Sequence, residues 1–246
     1  QFIKSISSFL GPIIAGAAAS FWGDWKLIFL VYAVTTLIST IWLISTIPGK
    51  EKLEEAGATF ATTLSLFKDK YIVSLFLGIL FIVGIDVGLN TTIPKLLMER
   101  TGMPVSEAGL GTSLYFAART IGSFAGSFLL AKLSGARFLK YSMFVAIAAF
   151  VLLLLVPDMW SMFVMIVIVG LACANVFSII FSYALQHKPE RANEISALMI
   201  MGVSGGALIT PLMGIVADGF GQVAGWSILL LCILYICIIS FRIDKK

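Results

Sequence analysis

Long apolar runs broken by short polar connections dominate this chain, and that pattern restricts its fold more than any other feature. The runs cover 2–21, 25–47, 71–97, 107–133, 138–156, 159–185, 195–217 and 223–241. Each is about 20 to 28 residues long, enough for a helix to cross a bilayer. Strands of a membrane barrel would be about ten residues of alternating polarity, so the runs predict helices. Hydrophobic residues make up 59% of the chain and charged residues 12%. That is half the roughly 25% charged share that covers a soluble domain. The expected fold class is an all-α membrane protein with about eight transmembrane helices.

Two charges stand inside this apolar background. Asp86 lies in the run 71–97 and Arg119 in the fourth run. A charge held in hydrocarbon is costly unless it is paired or faces water. Counted from the outer ends of consecutive antiparallel helices, the two lie at similar depth, so a salt bridge is geometrically possible. Asn90 follows Asp86 by four residues and Tyr115 precedes Arg119 by four, which places each on its neighbour's helix face. Together they predict one polar patch. Asn175, in the middle of the sixth run, carries both donors and acceptors. Phe177 and Phe181 offer ring faces beside it. These seven residues are the candidates for substrate binding or coupling, with a packing role as the alternative for each.

Basic residues fix the expected orientation. Thirteen Lys and Arg fall on one face of the predicted layout, while Lys26, Lys95 and Arg100 fall on the other. Basic residues stay on the cytoplasmic side, so both ends and the longest connection are expected there. That connection, 48–70, holds a charge run with Lys50, Glu51, Lys52, Glu54 and Glu55. It reads as a solvated linker with a short amphipathic helix on the membrane surface. His187 falls in a second cytoplasmic connection and reads as a solvated loop histidine.

An internal repeat divides the chain. Gly16, Ala19 and Gly23 recur as Gly214, Ala217 and Gly221 at an offset of 198 residues, with Pro12 and Trp25 echoed near that offset by Pro211 and Trp226. Small residues let helix backbones approach closely in lipid. Gly11, Pro12, Gly16, Gly122, Gly126, Gly205, Gly206, Pro211 and Gly214 are therefore the expected packing positions. The offset spans six helices. Residues 1–47 then read as the last two helices of a first half, 48–70 as a cytoplasmic linker and 71–246 as a complete six-helix second half. On this reading four helices precede Gln1, and two six-helix halves describe the major facilitator architecture.

Other chemistries find no foothold. Cys173, Cys232 and Cys237 lie in apolar runs without metal-ligand spacing. There is no phosphate-binding glycine loop, nucleophile elbow or paired carboxylate. No enzyme activity, cofactor, metal or nucleic-acid partner is expected.

Several segments carry a more specific likeness. Gly170-Leu-Ala-Cys-Ala-Asn-Val-Phe177-Ser178-Ile-Ile180-Phe181-Ser-Tyr-Ala184 resembles the "GLFNSIMFPTIFTLA" segment of the fucose/glucose/galactose:proton symporter family within the major facilitators. Gly205-Gly206-Ala207 through Pro211-Leu-Met-Gly214 to Ala217-Asp218 is similar to its "VGGAIIPPLMGYVAD". Gly84-Ile-Asp86-Val resembles "GAEV", and Ile121-Gly122 through Gly126-Ser127 resembles "IGRFLGS". The chain departs from these patterns at Ser178, where the family has Pro, at Cys173, where it has Asn, and at Ser123, where it has Arg. The resemblance implies a helical bundle that moves a small solute, a sugar first of all, by alternating access with protons. It implies a monomer in a bacterial inner membrane. A facilitator for a drug, peptide or organic acid is the second expectation, and a non-transporting membrane receptor or assembly partner the third.

Overall fold

The structure, a computed structural model, describes residues 2–23, 26–46 and 59–243. The expectations placed on the charge run Lys50–Glu55, on Trp25 and on the terminal Lys245 and Lys246 lie outside the described residues. Eleven α-helices are present among them: α1 (Phe2–Trp22), α2 (Leu27–Ser45), α3 (Phe60–Ser65), α4 (Lys70–Thr101), α5 (Val105–Leu130), α6 (Gly135–Leu155), α7 (Met159–Cys173), α8 (Val176–His187), α9 (Ala192–Met201), α10 (Gly205–Phe220) and α11 (Gln222–Ile243). The eight predicted rods are all there, but two are split. The sixth breaks between α7 and α8 at Ala174 and Asn175, and the seventh breaks between α9 and α10 at a short 3₁₀ turn, Gly202–Ser204.

Six rods are long and apolar enough to cross a membrane by length and composition: Leu27–Ser45, Lys70–Thr101, Gly135–Leu155, Met159–His187, Pro189–Phe220 and Gln222–Ile243. The described apolar part of α1 is shorter, Ile6–Ala18. Helix α5 has the length, at 26 residues, but carries Glu107, Arg119 and a series of Gly, Ser and Thr along it. This polarity coincides with its central position. α5 packs against α1, α4 and α7, while α4 packs against α5, α10 and α11, and α6 closes the ring through α7 and α11. On α4, Ile72, Leu75, Ile79, Ile82, Ile85, Leu89 and Ile93 are all essentially sealed. Their spacing of three and four residues makes one continuous stripe. α2, by contrast, packs chiefly on α1 and leaves Leu37, Ile41 and Trp42 exposed, as suits a surface bathed in hydrocarbon.

Helix ends are specified locally. Asp69 caps α4, its Oδ1 accepting from the amides of Tyr71 (2.9 Å) and Ile72 (3.3 Å). α4 ends on Gly102 at φ 69°, a left-handed position that glycine adopts without strain. Arg100 then donates to the carbonyls of Leu154 (2.7 Å) and Val156 (3.0 Å), serving the orphan C-terminal groups of α6. The repeat seen in the sequence has a conformational counterpart. Pro12 and Pro211 both lie inside helices, and each helix is followed by a positive-φ glycine, Gly23 at 73° and Gly221 at 91°.

Close approach of α10 to α4 depends on glycine. A Cβ on Gly205 would overlap the backbone carbonyl of Leu80, and one on Gly206 would come within 2.6 Å of Val87. Gly122 and Gly126 play the same part on α5, against Ala174 and Asn175. At Gly16 and Gly214 no such close approach is seen among the described residues: no atom of a neighbouring element lies within 4 Å of where their Cβ would stand. Gly214 instead borders an open cleft between α4, α10 and α11.

Part of the expected linker belongs to the bundle. Thr59 caps α3 in a reciprocal capping box with Thr62. Leu66 is sealed in the core, and Arg191 donates to the Thr62 carbonyl (2.7 Å) and the Ser65 hydroxyl (3.0 Å). His187 is likewise not a solvated loop residue. It ends α8, half-buried, with Nε2 3.1 Å from Asp69 Oδ2 and its ring against Tyr71. Lys188 Nζ holds the same carboxylate oxygen at 2.7 Å. One acid thus joins the start of α4 to the end of α8.

Partial burial pushes the Asp69 carboxyl up, but Lys188, His187 and the amides of Ile72 and Tyr71 outweigh it and hold it well below the usual carboxylate range. Its stabilising contribution is therefore complete above the unfolded value of about 3.9 and is lost as pH falls through the folded value. Asp69→Ala is expected to lower stability by about 0.5–2 kcal/mol at neutral pH. It is also expected to flatten the loss of thermal stability below about pH 4. Thermal unfolding of the detergent-solubilised protein across pH checks both.

Candidate functional site

Helices α4 and α5 run antiparallel and in contact, and each places one charged residue near its middle. Asp86 is 6% exposed and Arg119 2%. Arg119 Nη1 pairs directly with Asp86 Oδ1. Tyr115, fully sealed, donates its hydroxyl to the same Oδ1 at 2.9 Å, and Arg119 Nη1 lies 3.4 Å from that hydroxyl. The guanidinium also sits 5.9 Å from the centre of the Tyr115 ring. Three of the four residues expected in one polar patch therefore form a closed triad. Its charges cancel, and its strongest acceptor is shared by two donors. Taking two ions out of water costs several kcal/mol each, so the triad persists only because the pairing is direct.

Asn90 does not join it. It lies one turn further along α4, and its side chain is exposed. What Asn90 contributes is its carbonyl. Pro94, four residues on, lacks the amide that would serve it. Thr112 of α5 supplies the missing donor at 3.3 Å. This bond ties α4 to α5 one turn beyond the triad. It was missed in the sequence, although a proline inside an apolar run always leaves such a carbonyl to be served.

The two helix breaks border the same region. Asn175 stands in the α7–α8 break, 6% exposed, and its amide nitrogen donates to the Gly122 carbonyl of α5 at 2.8 Å. Its side chain fills the notch over Gly126. At the level of Tyr115, Gly170 of α7 lies so close that a Cβ would come within 2.7 Å of the Tyr115 carbonyl. The second break, Gly202–Ser204, lies against Ile79 and Phe76 of α4. Broken helices at membrane depth occur where the backbone is packed in protein or lines a cavity. Phe177 and Phe181 stack at 5.8 Å and 16° on α8, half-buried. Exposed Ser178 and Ser182 lie beside them on the same helix.

What the arrangement can do follows from its charges. Protonation of Asp86, or withdrawal of Arg119, would leave one uncompensated charge in a sealed site, a strongly unfavourable state. Any movement that parts α4 from α5 at this level must supply a new partner for one of them. In this structure the triad is closed, with both charges paired inside it.

Comparison with known proteins gives a consistent result. The family description Major Facilitator Superfamily matches residues 1–211 and, in a second placement, 75–246. A putative glucose/galactose transporter of Helicobacter pylori strain J99 is 26% identical over 190 residues, which is 75% of this chain and 46% of that protein. A glucose/galactose transporter of Brucella abortus is 24% identical over 177 residues, 70% of this chain and 42% of that protein. The chain thus spans about half the length of the curated relatives it matches. Among solved structures, the E. coli fucose:proton symporter FucP superposes with a TM-score of 0.72 at 19% identity, over 89% of this chain and 54% of that one.

Proposed function

The chain belongs to the Major Facilitator Superfamily, and from that premise we propose that it is part of a secondary transporter that moves a small sugar by alternating access coupled to protons. The observation that carries this reading is the Asp86–Tyr115–Arg119 triad at the middle of α4 and α5. A scaffold has no need of two desolvated charges; a machine with two states does. The triad as described is the closed condition. Proton uptake by Asp86 releases Arg119, and the freed guanidinium and the Tyr115 hydroxyl turn to substrate hydroxyls or to solvent. The splits at Asn175 and at Gly202–Ser204 give the bundle two points that bend without breaking a continuous helix. Phe177 and Phe181 offer ring faces on α8, and Asn175 an amide oxygen at the α7–α8 break, as candidate substrate contacts.

The division of the chain fits this proposal. Residues 1–47 supply the last two helices of a first half, residues 71–246 the second half, and 48–70 the cytoplasmic connection. The excess of basic residues on one face supports a cytoplasmic position for both ends, and the bacterial relatives support an inner membrane. The named activities of the relatives, glucose and galactose transport and fucose:proton symport, support a sugar over other solutes and protons as the coupling ion.

Uptake in proteoliposomes tests the reading. An inward proton gradient is expected to drive accumulation of labelled D-glucose, D-galactose or L-fucose above the external concentration, and a protonophore is expected to collapse it. Failure to accumulate any of the three with the gradient in place rejects the sugar assignment.

A further inference from the structure

Away from the triad, at the end of the bundle opposite Asp69, α4, α10 and α11 enclose a cleft of about 300 Å³. That volume lies at the lower end of small-ligand pockets. None of Asp86, Tyr115 or Arg119 lines it. Its lining is mixed, with threonines and one charge of each sign standing among Met213, Ala217 and Trp226. From α4, Thr91 and Thr92 line one side, with their hydroxyl protons already given to backbone carbonyls: Thr92 to Gly88 at 2.7 Å, Thr91 to Gly88 at 2.9 Å. Their oxygens therefore remain as acceptors. From α10, Thr210 lines the opposite side. Its hydroxyl is buried and has no partner among the described residues. A buried hydroxyl is normally served, so this one has a donor and an acceptor left over for a water or a ligand in the cleft.

The charges point the same way. Lys95 and Asp218 line the same cleft from facing helices, yet neither forms an ion pair among the described residues, with each other or elsewhere. One of each sign makes the cleft neutral overall, which selects against a net anion or cation. The two still offer charge-assisted donors and acceptors. Trp226, 2% exposed and packed on Phe150 at 5.5 Å, supplies an apolar floor. Acceptors, donors and an aromatic surface around a neutral volume of this size suit a molecule with hydroxyls on its rim and an apolar face.

We propose that this cleft is a second binding site, separate from the triad, for a neutral polyhydroxylated molecule of monosaccharide size. It deepens the transport reading, from which it takes sugar as the ligand class, by adding a capture point at the outer end of α4. Thr92 lies six residues past Asp86, about 9 Å further along the helix, so a sugar held here stands one step short of the triad.

The test is a D-glucose titration of the purified protein, followed by tryptophan fluorescence, with Trp226→Phe as the control for the origin of the signal. A saturable change is expected in the wild type and is lost in Trp226→Phe. Thr210→Val and Asp218→Asn are each expected to raise the half-saturating concentration about tenfold, the effect of one lost hydrogen bond. Asp86→Asn is expected to keep the fluorescence change while losing uptake. Wild-type titration curves in both Thr210→Val and Asp218→Asn overturn the proposal, as does a wild-type protein with no saturable change. Asp218 is exposed, so its variant reports even if the buried Thr210 substitution impairs folding. Uptake that persists with no Thr210-sensitive binding rejects this site alone. Thr210-sensitive binding without uptake of any sugar rejects the transport reading alone.

Discussion

Asp86→Asn is expected to abolish uptake and to destabilise the protein by about 3–5 kcal/mol, because it leaves the Arg119 guanidinium sealed without a counter-charge. Asparagine preserves the shape of the side chain and can still accept from the Tyr115 hydroxyl, so the loss isolates the charge. The double variant Asp86→Asn, Arg119→Gln removes both desolvation penalties together. It is expected to regain most of the lost stability, since replacing a buried ion pair as a unit is often close to neutral. Uptake is not expected to return. This divergence separates the two roles of the pair. A packing device alone would recover function with folding, whereas a switch that uses the charges would not. Thermal unfolding in detergent gives the first quantity and proteoliposome flux the second. If the double variant transports like the wild type, the pair is a strut and the proposed coupling fails.

Much of this site was legible in advance. Two opposite charges in otherwise apolar runs must find each other or water, and the pairing of Asp86 with Arg119 follows from that requirement and from the antiparallel order of neighbouring helices. Tyr115 was placed correctly by the same spacing. Asn90 was not: the same four-residue step leaves its side chain exposed, because spacing along one helix does not say which neighbour covers that face. Near a proline the backbone carbonyl, not the side chain, became the group with unmet need. The split rods were equally hard to see. The runs 159–185 and 195–217 are apolar throughout, and hydropathy does not register a missing hydrogen bond. The sequence signs were Asn175 in mid-run and the glycines at 202, 205 and 206, which read equally well as packing. His187 and Asp69 show a further limit. They are 118 residues apart in sequence, and only the return of α8 to the start of α4 brings them together.

The second large effect is expected at Gly205, where α10 begins immediately beside α4. A Cβ here would stand inside contact distance of the Leu80 carbonyl carbon and oxygen. These are backbone atoms of a helix interior, which cannot rotate aside as a side chain would. Gly205→Ala must therefore move α10 as a body. The nearest neighbours make this worse: Gly206 faces Val87 and Gly84 faces Ile209 across the same seam, so neither side has slack. The expected cost exceeds the roughly 1 kcal/mol that alanine normally gains over glycine in a helix, and so reverses the usual sign. Overpacking of this kind typically costs about 1–3 kcal/mol and occasionally more. Gly219→Ala is the matched control. It lies on the same helix with open space where its Cβ would stand, and is expected to be neutral or slightly stabilising. The seam also lies beside the Gly202–Ser204 break, so a displaced α10 is expected to lower uptake as well as stability. Parallel unfolding and flux measurements on the two variants decide the point. Equal behaviour of Gly205→Ala and Gly219→Ala would show that α10 is not seated against α4 as described.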